Sequence, residues 1–177
     1  MGKEEKENTE QEVTVKYYAG IGSRETPDDI LEMMTKIAEG LSRNYILRSG
    51  GADGADSAFE AGAGDKKISY IPWTGFNGST AECITVTSAA MRMAGDFHPG
   101  WMYLSYPVKK LHARNCYQVL GEDLATPVDF VICWTPGGQE VGGTAQAIRI
   151  AKANRIKIFN LANEEDLNFW KEKLCQI

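Results

Sequence analysis

The chain has 177 residues, 43% of them hydrophobic and 24% charged, which is the balance of one globular domain large enough to bury a core. A formal net charge of -5 excludes a protein held to nucleic acid by bulk positive charge, because phosphate neutralisation dominates such binding; a local basic groove stays open. Cys83, Cys116, Cys133 and Cys175 form no CxxC pair, and His98 and His112 match no ligand spacing, so they read as reduced thiols of a cytoplasmic protein with no metal site and no cofactor.

Residues 1–12 are almost all charged or amide-bearing and read as a disordered tail before a single domain over 13–177. No signal peptide or membrane-spanning run occurs, and Lys6 breaks the myristoylation pattern that Met1-Gly2 begins. Residues 13–19 are β-branched and aromatic and predict a first strand, followed by the tight loop Gly20-Ile21-Gly22-Ser23-Arg24. Thr26 is placed to cap a helix that Pro27 opens, with Ile30, Met34, Ile37 and Leu41 along one face. A second strand over 45–48 runs into Ser49-Gly50-Gly51-Ala52-Asp53-Gly54, where Asp53 is expected to cap a short helix through Ala61. A third strand over 67–72 and a helix over 80–93, capped by Ser79 or Thr80, come next. Residues 95–106 show no period but hold Phe97, His98, Trp101, Tyr103 and Tyr106, which suit either the core or a lid. A helix over 107–120 follows, then an apolar run over 129–134 that reads as a strand buried on both faces. Thr135-Pro136-Gly137-Gly138 breaks it, and Gly142-Gly143-Thr144 opens a helix through Ala153. A last strand over 157–161 and a helix over 164–174 complete an α/β chain: an open parallel sheet with helices on both faces.

Three glycine-rich loops, 20–24, 49–54 and 135–144, each lead from a strand towards a helix. In a parallel sheet they share one edge, where ligands bind. Gly142, Gly143 and Thr144 leave bare amides at a helix start with no acid in the first turn, which suits a phosphate; Arg24 suits a second anchor. Asp53 and Asp56 repel an anion and suit ribose hydroxyls or a base edge, or else plain capping. Arg114-Asn115, among apolar neighbours, suits a buried polar pair reaching the crevice. No GxxxxGK[ST] is present, and Glu25 stands where the dinucleotide fingerprint has its third glycine.

Together these segments resemble the SLOG superfamily of Rossmann-like domains, which holds the DNA-processing protein A family and the "lonely guy" phosphoribohydrolases. Gly20-Ile21-Gly22-Ser23-Arg24 is similar to the G-x-G-S-R start, and Ser49-Gly50-Gly51-Ala52-Asp53-Gly54-Ala55-Asp56 to the S-G-x-A-x-G-[IA]-D stretch of the DNA-processing branch. Pro136-Gly137-Gly138 with Gly142-Gly143-Thr144 is similar to the P-G-G…G-T loop, and Arg114-Asn115 to that branch's Arg-Asn pair. The resemblance implies a single Rossmann-like domain that binds a nucleotide-like small molecule through Gly20, Gly22, Ser23, Arg24, Ser49, Gly50, Gly51, Asp53, Gly54, Arg114, Asn115, Thr135, Gly137, Gly138, Gly142, Gly143 and Thr144. The alternatives it implies are hydrolysis of a nucleotide's N-glycosidic bond and binding of single-stranded nucleic acid. Ala147 stands where the phosphoribohydrolases carry their catalytic glutamate, so hydrolysis would fall to Asp56, Glu60 or Glu140 as acid or base. Small stand-alone members of this kind are met in phage and bacterial genomes, and the family's habit implies a homodimer.

Overall fold

Apolar runs bounded by turns become five strands: β1 (Tyr17–Gly20), β2 (Ile46–Ser49), β3 (Lys67–Ser69), β4 (Phe130–Cys133) and β5 (Lys157–Asn160). The computed structural model describes residues 14–176, so the tail expected over 1–12 lies outside the described residues. All neighbouring strands are parallel, in the order β3-β2-β1-β4-β5. Parallel neighbours need crossovers. Helices α1 (Asp28–Leu41), α2 (Ala55–Ala63), α3 (Ser88–Asp96), α4 (Tyr106–Leu120) and α5 (Gly142–Ala153) supply them, and α6 (Glu164–Leu174) follows β5. The chain steps outward from β1 to β3, then crosses back to place β4 on the other side of β1. That reversal opens a crevice beyond the C-terminal ends of β1 and β4.

Helices cover both faces, as the continuous apolar strands require. On one face Ile30, Met34 and Ile37 of α1, Phe59 of α2 and Trp170 of α6 pack on Tyr18, Leu47 and Ile132. On the other, Ala90 and Ala94 of α3, Cys116 and Val119 of α4 and Ile150 of α5 pack on Ala19, Val131 and Cys133. Each large side chain so buried contributes about 1.5–3 kcal/mol. The α1–α2 contact is the tightest: a Cβ on Gly62 would stand 2.0 Å from the Thr35 carbonyl oxygen, and Thr35 Oγ1 donates to the Ala58 carbonyl at 3.0 Å. No helix among the described residues is long and apolar enough to cross a membrane.

Several local expectations need correction. Thr26 does not cap α1; its hydroxyl donates back to the Ser23 carbonyl at 2.7 Å, and Pro27 takes the N-cap position without a side-chain hydrogen bond. Asp53 is exposed and does not cap α2, because Gly54 at φ +85 stands at the N-cap. The helix expected over 80–93 begins only at Ser88, with Thr87 Oγ1 accepting from the Ala90 amide at 3.2 Å. Before it Cys83 bridges Ile71, and Ile84 N–H donates to the Ile71 carbonyl at 3.2 Å. The β-branched run Ile84-Thr85-Val86-Thr87 disfavours helix there, and backbone pairing beyond β3 agrees with it. Cys83 is exposed, whereas Cys116 and Cys133 are buried.

Candidate functional site

The loops beyond β1, β2 and β4 meet. Ile21 N–H donates to the Ile132 carbonyl at 3.1 Å and Ser23 N–H to the Trp134 carbonyl at 3.2 Å, so the chain after β1 runs on beside the chain after β4. Gly22 permits the approach of α2, since a side chain there would put Cβ 2.6 Å from the Ala55 methyl. Gly54 brings the second loop against the first: its Cβ would meet the Ser23 carbonyl oxygen at 2.9 Å. Gly20, by contrast, is a packing residue at the end of β1, pressed on Phe59 and Leu47.

Between these loops and α4 lies a cavity of about 600 Å³, within the usual range for small-molecule sites. Gly22, Ser23, Arg24, Asp56, Arg114, Asn115, Gly142, Gly143 and Thr144 all line it. So the sequence-predicted residues from four distant segments do share one space. Others stand apart from its lining. Ser49 is fully buried under its loop. Thr135 is also fully buried and tied to Asn160, whose Nδ2 donates to Thr135 Oγ1 at 2.7 Å and whose Oδ1 accepts from the Thr135 amide at 3.3 Å. Gly137 and Gly138 form a short turn with positive φ, and Gly51 lies beside Ile71. Glu140 pairs with Lys152 and, at 3.5 Å, with Arg149 on the flank of α5. Glu60 sits one turn beyond Asp56, with Oε1 buried and without a hydrogen-bond partner.

The two helix starts at the crevice carry different electrostatics. At α2, Asp56 reaches back and its Oδ2 accepts from the amides of Gly50 and Ala52, both at 3.2 Å. Burial pushes the Asp56 carboxyl up to about 6, against the pull of the Arg114 guanidinium and those two amides. Arg114 Nη1 donates to the Gly50 carbonyl at 2.6 Å, while its Nε is buried without a partner. Burial lowers the Arg114 pKa, Asp56 opposes that, and Arg24 adds to it. At α5, no side chain caps the helix and no acid lies in its first turn. Its leading amides carry the partial positive charge of the helix end, and among the described residues no side chain accepts from them.

The sequence reading missed three contributors. Phe76 lines the cavity, with the Arg114 guanidinium 5.5 Å from its ring centroid. Gln118, buried with Nε2 unpartnered, and His112 also line it. The signal was present: polar His112, Arg114, Asn115 and Gln118 interrupt a stretch of α4 that is buried throughout from 112 to 120. The aromatic segment 97–106 does not line this cavity; Met102, Tyr103 and Tyr106 are exposed elsewhere, and Trp101 packs against the core.

No protein-family model matches the chain, and no curated protein matches it either. Among solved structures, DNA processing protein A from Streptococcus pneumoniae superposes with a TM-score of 0.50 at 18% sequence identity, over 93% of this chain and 57% of that one. The fold is like that of DNA processing protein A. The chain thus spans little more than half the length of the pneumococcal protein. DNA processing protein A from Helicobacter pylori, whose structure is described as revealing a single-stranded DNA binding mode, aligns over 92% of this chain and 82% of its own, at 16% identity and a TM-score of 0.42.

Proposed function

We propose that the crevice binds a nucleotide-like ligand, with its phosphate at the start of α5 and its nucleoside towards Asp56 and Phe76. The observation that carries this reading is the uncapped α5 start in the same cavity as Arg24 and Arg114. Bare amides and a planar guanidinium are the usual partners of phosphate oxygens. Asp56 cannot serve an anion, since it already fills the turn before α2, but it is placed for a sugar hydroxyl. A thermal-shift screen across nucleoside monophosphates, cyclic nucleotides and ADP-ribose-like compounds tests it: one of them raises the melting temperature at low concentration. Arg24→Ala and Thr144→Ala remove the shift. If both variants keep it, the phosphate assignment is wrong.

A second reading, single-stranded DNA, is favoured by the likeness of fold to a DNA processing protein. Its strand would have to run on over a chain of net charge -5. It requires an affinity for oligonucleotides that falls steeply as salt rises, whereas a single nucleotide held in the cavity shows a shallow dependence. Free base released during incubation with a monophosphate would instead reveal hydrolysis, with Asp56 and Glu25 the carboxyls that line the cavity.

A further inference from the structure

His112 lines the cavity, is 8% exposed, and has no part in the phosphate reading. A buried amide holds its ring. Gln146 Nε2 donates to the Ala94 carbonyl at 2.9 Å, which fixes the orientation of the amide and leaves Oε1 to accept. Asn115 Nδ2 donates to that oxygen at 3.2 Å, and His112 Nδ1 lies 3.1 Å from it. Facing an oxygen that can only accept, Nδ1 carries the proton. In the neutral ring Nε2 is then a bare acceptor. Burial lowers the His112 pKa, and His98, Arg114 and Arg149 push the same way against the Gln146 hydrogen bond, so the neutral ring prevails near neutral pH. The His98 ring is tilted against it at 4.4 Å between centroids, but its Nδ1 accepts from the Gly100 amide, and among the described residues no hydrogen bond joins the two rings.

We infer that His112 determines specificity in this cavity: its Nε2 accepts a hydrogen bond from an amino or hydroxyl group of the ligand. The inference rests on the nucleotide reading above. A ligand with an acceptor at that point sets two lone pairs against each other, and one with nothing there leaves a buried nitrogen unpaired. The three side chains of the relay come from α4 and α5 and the carbonyl from α3, so the proton on Nδ1 is set by the packing of that whole layer.

His112→Asn separates the two ring nitrogens. The asparagine amide nitrogen stands near the place of Nδ1 and keeps the donor to Gln146, while nothing replaces Nε2. The wild-type chain and this variant are titrated with adenosine 5′-monophosphate, its 2′-deoxy analogue, inosine 5′-monophosphate and inorganic phosphate. The wild type is expected to bind one analogue about tenfold more weakly than adenosine 5′-monophosphate. That analogue is the deoxy compound if a sugar hydroxyl donates, and the inosine compound if the base amino group does. His112→Asn binds both members of that pair alike and binds phosphate as the wild type does. His112→Gln, whose amide reaches as far as Nε2, restores the preference. A wild type that treats all three nucleotides alike, or a His112→Asn that keeps the preference or loses phosphate as well, overturns the inference and leaves the nucleotide reading standing. A wild type that binds none of the four probes, and that no nucleotide in the thermal-shift screen stabilises, ends the nucleotide reading, and this inference with it.

Discussion

The turns after β2 and β4 look alike in sequence and behave differently in space. Both are rich in glycine and both lead from a strand into a helix at the same crevice. In the first, the protein's own Asp56 carboxylate accepts from the amides of Gly50 and Ala52, so the turn is internally answered. In the second, Val141 precedes α5 without any capping side chain, and Gly143 faces open space. Glycine in a strand-to-helix turn therefore has two uses. One lets backbones press together; the other keeps a helix end uncovered for something from outside.

The comparison breaks most visibly under alanine. Gly54→Ala forces a positive φ on a residue with a side chain and drives Cβ against the Ser23 carbonyl and the Arg24 backbone. It is expected to cost about 3 kcal/mol in a urea titration. A cost below about 1 kcal/mol would mean the loops are not wedged together there.

A smaller effect is expected at Asp56. Its carboxyl is raised to about 6 by burial, so the folded chain keeps a proton that the unfolded chain releases at lower pH. That contribution to stability is complete below about pH 4 and is lost as pH rises through about 6. Asp56→Asn, which still offers an oxygen to the two amides, removes the slope and gains about 2 kcal/mol at neutral pH. Denaturant titrations of both chains across this range check it; equal pH profiles would count against it.

Next comes Gly143→Asp, which makes the second turn resemble the first. The new carboxylate has room and answers the α5 amides itself. Nucleotide affinity falls by about tenfold or more, while stability rises by roughly 0.5 kcal/mol. Calorimetric titration and a thermal melt read the two halves separately. Smallest is Gly143→Ala, the counterpart of Gly54→Ala, which shifts stability by less than about 1 kcal/mol by the same titration. A larger loss would show the second turn to be as crowded as the first.

Much of this was legible beforehand. The alternation of short apolar runs with helical periods gave the parallel sheet, and α6 matches its expected bounds residue for residue. Arg114 and Asn115, polar among apolar neighbours, mark a buried pair at the crevice, and both line it. Asp53 and Asp56 both looked like caps, and only backbone geometry decides which of two nearby acids turns back. The stretch before α3 does carry a signal, since Ile84-Thr85-Val86-Thr87 is a β-branched run that disfavours helix, but nothing local says that it meets Ile71 beyond β3. Gln146 carries no local mark at all. It matters because an amide on α5 meets a carbonyl of α3 and a ring of α4, and such meetings are invisible along a single chain.

The seam between α1 and α2 has a mechanical corollary. Where the missing side chain of Gly62 lets one helix backbone rest on the other, no deformable padding remains to be squeezed. Asp56, which α2 carries into the cavity, is therefore backed by an anvil, and accommodation of a guest is expected first in the layer opposite, where the amide of Gln146 ties α5 to α3.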